Sequence, residues 1–504
     1  IITPLFMIGE AAVECALPFV MSRMVDAIEG ATSVTTILPY IFIVLGMAVL
    51  SITFGILGGV FASKASAGFA RNLRHDLYEK IQSFSFENID KFHTSSLVTR
   101  MTTDVSSVQM AFQMSIRIVF RAPLMLIFSM IMAFATGGQT AWVFVAVIPL
   151  IAIGFGLIIK FAMGIFRRVF KRYDAMNESI QENVSGIRVV KSFVREDYEI
   201  NKFNATSDSL TKDFIKAEKI VALNNPIMNT AIHAVNIVIF WLASITITES
   251  ASWHYEGTTK VIDWGNLSVS QMSALLTYGI QILMAIMMVS MIMVMLSMSL
   301  EGVRRISEVL EEEPTIHNPE NPIMELDDGS IDFNNVNFKY AKTAEKNTLE
   351  NINIHIKSGQ FIGILGSTGS GKTSLVNLIS RLYDITEGEL LVGGHPVNQY
   401  DLKVLRDSVS VVLQKNFLFT GTVAENLRWG NKEASMEQVI KAAKIAQADE
   451  FIIAHKDGYD RMLESGGTNV SGGQKQRLCI ARAIMKKPKI LILDDSTSAV
   501  DTKT

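Results

Sequence analysis

The chain has 504 residues, 49% of them hydrophobic and 19% charged, with a mean hydropathy of +0.29. It is too apolar for an ordinary soluble protein and too long for one domain. With a formal net charge of −3, nothing in the overall charge argues for nucleic acid as a partner.

Hydrophobicity is concentrated in the first 300 residues, where six apolar runs approach bilayer length: 2–24, 37–61, 118–136, 141–161, 221–247 and 274–300. Arg121 makes the third the weakest of them. The intervening segments differ in charge. Segment 62–117 holds Lys64, Arg71, Arg74, Lys80, Lys91, Arg100 and Arg117, and 162–220 is similarly basic. Segments 25–36 and 137–140 contain no Lys or Arg, and 248–273 has only Lys260. By the positive-inside rule the two long segments are cytoplasmic. The chain is then a multi-pass plasma-membrane protein with both ends in the cytoplasm and the lipid bilayer as a partner. The charge and apolar spacing of 70–81 and 167–182 predict membrane helices that continue into the cytoplasm.

After these spans, Glu311-Glu312-Glu313 and then Pro314, Pro319 and Pro322 mark the end of a helix and a linker. Alternation over 331–338 predicts a strand, and mixed strands and helices follow. The expected fold is multi-domain. An all-α six-helix transmembrane domain with long cytoplasmic extensions spans 1–303, and a linker spans 304–329. An α/β phosphate-loop nucleotide-binding domain spans 330–504. The chain starts with Ile and stops soon after a strand of central character. Both ends are therefore expected to be truncated, so a missing targeting signal carries no weight. Cys15 and Cys479 lie in halves of different composition and predict no structural disulfide.

Gly366-Ser367-Thr368-Gly369-Ser370-Gly371-Lys372-Thr373 fits the phosphate-loop pattern in full. It follows the apolar run Phe361-Ile362-Gly363-Ile364-Leu365, expected to be a buried strand, and precedes a predicted helix over 374–379. Backbone N–H groups and a helix N-terminus would cradle phosphates there. Lys372 would reach the outer phosphates, and the Thr373 hydroxyl would bind Mg²⁺. Lys489-Ile490-Leu491-Ile492-Leu493-Asp494 then supplies a strand ending in a carboxylate. Asp494 and Asp495 together repel unless a cation lies near, and Asp495 stands where a base would orient an attacking water.

Val470-Ser471-Gly472-Gly473-Gln474-Lys475-Gln476-Arg477 lies between those two motifs. Loop, signature and aspartate strand in this order resemble the ATP-binding cassette (ABC) proteins. With six spans ahead of them, essentially the whole chain resembles an ABC exporter half-transporter. The resemblance implies ATP and Mg²⁺. Gly366, Ser367, Thr368, Gly369, Ser370, Gly371, Lys372, Thr373 and Ser374 would hold ATP, with Tyr340 stacked on adenine. Thr373, Gln414 and Asp494 would hold the metal, and Lys372, Gln414 and Asp495 would serve catalysis. Ser471, Gly472, Gly473 and Gln474 would face ATP on a partner's phosphate loop, and Asp501 would lie in a dimer-contact loop. Glu464-Ser465-Gly466-Gly467 resembles the loop that meets the cytoplasmic segments. Segments 96–105 and 186–193 also resemble family sequence, and the first coupling helix is expected over 84–92.

One departure matters. The family usually carries Glu where this chain has Asp495, and members with Asp there resemble the impaired-site subunit of bacterial heterodimeric multidrug exporters. The implied partner is a second ABC half-transporter. A heterodimer is favoured and a homodimer remains possible, with slow hydrolysis at this chain's own site. The implied activity is ATP-driven export of small lipophilic compounds by alternating access. Lipid or peptide export, or a regulatory subunit that binds ATP without pumping, are the alternatives. Glu10 and Glu14, four apart in the first span, either line a cavity for cationic compounds or serve packing. The stripe Met284, Met287, Met288, Met291, Met295 and Met298, with Met293 opposite, suits either varied ligands or helix packing.

Overall fold

The computed structural model describes residues 2–29, 34–250, 252–256, 259–263, 267–341 and 344–495. The chain forms two compact units. One comprises Ile1–Glu79 and Val98–Leu310, and the other Lys80–Leu97 and Glu311–Thr504.

The first half of the chain is helical: α1 (Ile2–Glu29), α2 (Leu38–Ser83), α3 (Phe86–Lys91), α4 (Thr94–Thr99), α5 (Val105–Gly137), α6 (Trp142–Ser185), α7 (Ile187–Ser192), α8 (Glu196–Val221), α9 (Asn224–Ser250) and α10 (Val269–Glu311). A short antiparallel hairpin, β1 (Ser252–Glu256) and β2 (Thr259–Asp263), precedes α10. Among the described residues, five helical stretches are long and apolar enough to cross a bilayer. The third, Thr94–Phe166, is 73 residues long and contains two of the six sequence runs. They are divided where α5 ends at Gly137 and the chain turns through Gly138, at φ +50°. Helix α2 has 46 residues. At about 1.5 Å per residue it is roughly twice as long as a 30 Å hydrocarbon core, so the extensions predicted from residues 70–81 form.

In lipid there is no hydrophobic drive between helices, and small residues set the contacts. Ala11, Cys15, Met125 and Ala285 form one buried cluster of α1, α5 and α10. Phe144, Phe155, Ile239, Leu275 and Tyr278 dominate another, of α6, α9 and α10. Within this unit Arg100 donates to the Arg305 carbonyl (2.5 Å) and to Glu308 (3.0 Å), and Arg305 donates to Asp104 (2.6 Å). The segment 96–105 is thus tied to the end of α10. Of the methionine stripe, Met284 and Met291 are exposed and Met287, Met288 and Met295 half-buried, while the Met298 side chain lies outside the described residues.

Arg121 is the partner of both intramembrane acids. Its guanidinium bonds both Glu14 carboxylate oxygens at 2.8 Å and lies 3.5 Å from Glu10 Oε1. Removing one partner of such a group leaves uncompensated charge. Arg121→Leu should therefore cost about 2 kcal/mol, below the value for a fully buried pair because the arginine side chain is 25% exposed. The loss would be read as a lower unfolding temperature in detergent.

The second unit carries a four-stranded antiparallel sheet. Strand β3 (Ile331–Phe338) pairs with β4 (Leu349–Ile356) on one side and β5 (Glu387–Val392) on the other, and β5 pairs with β6 (His395–Pro396). The predicted strand over 331–338 matches β3. Helix α11 (Lys372–Ile379) lies between β4 and β5 in sequence, and α12 (Leu402–Ser408) leads into β7 (Val409–Val412). The rest is β8 (Gly421–Thr422), α13 (Val423–Arg428), α14 (Met436–Ile445), α15 (Asp449–Ile453), β9 (Met462–Leu463), α16 (Gly472–Met485) and β10 (Ile490–Leu493). Strand β10 runs parallel to β7. One core packs the sheet around Phe333, Val336, Phe338, Leu378 and Tyr400, and a second packs α13, α14 and α16 around Leu418, Leu427 and Leu478.

One expectation fails. The run 361–365 forms no strand, and Phe361 and Leu365 are 97% and 96% exposed. An apolar run becomes a buried strand only through a ladder partner. Among the described residues no strand pairs with it.

Candidate nucleotide site

The phosphate loop owes its path to glycine. Gly369 and Gly371 stand at φ +81° and +87°, a region costly for residues with a Cβ. A Cβ on Gly371 would lie 2.7 Å from Leu349 Cδ2. Gly371 caps α11, so the loop feeds directly into a helix N-terminus whose free N–H groups suit an anion. Lys372 Nζ donates to the Gly366 and Ser367 carbonyls at 2.9 and 2.8 Å, which holds the ammonium against its own loop.

Residues far apart in sequence meet beside it. Thr373 Oγ1 donates to Asp494 Oδ2 at 2.8 Å. Asp494 is fixed by the end of the β7–β10 pair, its N–H donating to the Val412 carbonyl at 3.0 Å. Two residues beyond Val412, Gln414 donates from Nε2 to Asp495 Oδ2 at 3.2 Å. Gln476 is buried in α16 and donates to the Asp495 carbonyl at 3.3 Å. Asp495 stands at φ +50°, where Asp and Asn are enriched among non-glycine residues.

These side chains suit a hard cation. A hydroxyl, a carboxylate and an amide are oxygen donors of the kind Mg²⁺ takes. Among the described residues no group of three His, Cys, Asp or Glu could hold a metal. The coordination shell would therefore be completed by water and phosphate oxygens, as is usual for Mg²⁺.

Tyr340 donates to or accepts from Ser374 Oγ at 2.8 Å, and the residue is 41% exposed. Phe338 and Tyr383 meet it edge-on, with centroids at 4.9 and 5.1 Å. Ser471 caps α16 by accepting from the Gln474 N–H at 3.3 Å, while Gln474 Oε1 accepts from the Ser471 N–H at 3.2 Å. This capping box opens a helix of 14 residues with Gly472 and Gly473 in its first turn. No described hydrogen bond joins it to the phosphate loop. In the loop Glu464-Ser465-Gly466-Gly467, both glycines have positive φ and the Gly466 N–H donates to the Leu418 carbonyl at 2.8 Å. Asp501 lies outside the described residues. Sequence reasoning gave Gln476 no role although it stands in the signature stretch, and Tyr383, which stands in no motif, is brought beside Tyr340 only by the folded chain.

A phosphate loop beside a metal-ready carboxylate, in a chain with membrane-length apolar helices, defines a nucleotide-driven membrane protein. The comparisons with known proteins make the class specific. Residues 1–287 match the family model of the ABC transporter transmembrane region, and residues 349–498 match that of the ABC transporter. The chain belongs to the ABC transporter family. It is 33% identical to an uncharacterized ABC transporter ATP-binding protein of Bacillus subtilis (strain 168), over 99% of this chain and 84% of that protein. It is 30% identical to an ATP-dependent lipid A-core flippase of Syntrophus aciditrophicus (strain SB), over 86% of this chain and 69% of that one. Its fold is similar to that of a bacterial Atm1-family ABC exporter with ATP bound: the TM-score is 0.80 at 20% identity, covering 100% of this chain and 86% of that one. The chain is thus a membrane-embedded ABC half-transporter with the fold of the exporters and an ATP-binding cytoplasmic domain.

Proposed function

We propose that this chain is one half of a heterodimeric exporter of lipophilic compounds, with slow hydrolysis at its own ATP site. The observation that carries this reading is Asp495 in the position of the base, held by Gln414 at 3.2 Å. In this reading Gly366–Ser374 and Tyr340 hold ATP, and Thr373, Gln414 and Asp494 hold Mg²⁺, which would neutralise charge on the transferred phosphate. Lys372 draws the outer phosphates, and Asp495 aims the water. The residues Ser471–Gln474 close the partner's site. Short helices transmit the motion: α3 in the first cytoplasmic segment and α7 in the second. Ile187, Val189 and Phe193 in and beside α7 are exposed.

The substrate reading rests on the membrane unit. An open groove of about 680 Å³ along α9 and α10 is lined by His233, Asn236, Phe240 and Trp241 among others, a mostly apolar wall with a few polar groups. The acidic pair Glu10 and Glu14 beside Arg121 in the first span supports a preference for cationic amphiphiles. The test is ATP-dependent uptake of ethidium into inverted vesicles holding this chain and its partner half. Uptake that falls severalfold in Glu14→Gln supports the reading, and vesicles that bind ATP without accumulating dye count against it. The likeness to a lipid A-core flippase favours lipid as the second reading, supported if the same vesicles translocate a fluorescent lipid and not the dye.

A further inference from the structure

Helix α3 is built into the nucleotide-binding unit from two sides. On one side the acidic run after α10 grips it. Asn88 donates to Glu312 Oε1 (3.0 Å) and to the Glu313 carbonyl (2.9 Å), Lys91 pairs with Glu312 at 2.5 Å, and Ser85 bonds Thr315 at 2.6 Å. Lys91 and Asn88 hold the Glu312 carboxyl below its usual range, so this grip is ionised at neutral pH.

On the other side stands Tyr383. Its hydroxyl donates to Asp90 Oδ2 at 2.5 Å, and its ring meets Phe86 with centroids 6.1 Å apart at 65°. The same ring meets Tyr340 at 5.1 Å and 90°, and Tyr340 bonds Ser374 in the first turn of α11. Burial, and then the Asp90 carboxylate, raise the phenol above its ordinary range, so it stays protonated and keeps donating.

We propose that Tyr383 is the positioning residue through which adenine stacked on Tyr340 is felt at helix α3, by ring contact on one side and the Asp90 hydrogen bond on the other. This rests on the proposed role of Tyr340. Base and phosphates then act through different routes. A ligand that fills only the phosphate loop leaves the Tyr340 ring uncovered and α3 unchanged, whereas ATP orders both. Tyr383 bridges Tyr340 and α3.

Hydrogen exchange of the peptide covering α3, in the full chain with its partner half, reads the effect directly. With saturating MgATP, exchange over Phe86–Lys91 should slow by about tenfold, in the range of ordinary coupling energies. Magnesium tripolyphosphate, at concentrations that displace ATP, should change it less than about twofold. Tyr383→Phe keeps the rings and removes the donor, and Asp90→Ala removes the acceptor. Either should abolish the ATP response while ATP affinity stays within about twofold, and the double variant should add nothing further. The proposal is overturned if tripolyphosphate protects α3 as well as ATP does, or if Tyr383→Phe retains the response. Tyr340→Ala separates the two levels. If it leaves ATP affinity unchanged, the adenine assignment fails and the relay fails with it. If it weakens ATP while Tyr383→Phe responds like the wild type, the relay alone fails.

Discussion

With the partner's own ATP site silenced, Lys372→Ala is expected to lower ATP hydrolysis by the assembled pair by about 10²- to 10³-fold, the usual loss when one preorganised charge at a transition state is removed. The substitution should not disturb the fold. Among the described residues the lysine side chain bonds only to its own loop, at the Gly366 and Ser367 carbonyls and the Ser370 hydroxyl. Affinity for ATP should fall as well, because the ammonium is the only cation in the motif. Lys372→Arg keeps the charge, yet a planar fork does not reproduce a compact point charge held at two carbonyls, so it should rescue little. Titration with a fluorescent ATP analogue separates binding from turnover. Unaltered affinity and turnover in Lys372→Ala would remove the phosphate loop from the mechanism.

The legibility of this site in the sequence follows from how local each feature is. Gly369, Gly371 and Lys372 are readable because the loop's conformation is set by its own residues: positive φ needs glycine, and the helix that follows begins at once. Asp494 is readable because an apolar strand ending in a carboxylate is a local pattern. The run Phe361–Leu365 misleads for the converse reason. Its composition is that of a buried strand, but pairing is decided by another strand, and the described residues give it none. Tyr383 and Asp90 were invisible at a separation of 293 residues, since nothing in either neighbourhood encodes the other. Nor did the sequence show that Lys80–Leu97 groups with the second unit. Charge gave a partial hint: basic Lys80 and Lys91 and the acidic run Glu311-Glu312-Glu313 are complementary, and they pair. In the membrane unit, Arg121 weakened the third apolar run for a reason the structure supplies, because it serves Glu10 and Glu14 on α1.

Asp495→Glu is expected to raise hydrolysis at this chain's own site by about a hundredfold, the scale of effect that a misplacement on the order of 1 Å produces. The added methylene extends the carboxylate by about 1.5 Å, and Gln414, which now donates to Asp495 at 3.2 Å, can follow because its side chain lies at a strand end. A hundredfold corresponds to about 2.7 kcal/mol of barrier. Against this, residue 495 stands at φ +50°, where glutamate is less at home than aspartate and costs roughly 1 kcal/mol of backbone strain. That strain is present in ground and transition states alike. It should therefore lower the unfolding temperature slightly without cancelling the gain in rate. The measurement needs the assembled pair with the partner's own ATP site silenced, because turnover there would mask the change. Asp495→Asn is the necessary companion: it keeps the short side chain that this backbone tolerates and removes only the base. If Asn hydrolyses as fast as Asp, the residual activity never used this carboxylate. If Glu does so as well, slow hydrolysis does not originate at position 495, and the case for unequal sites in the pair loses its physical cause.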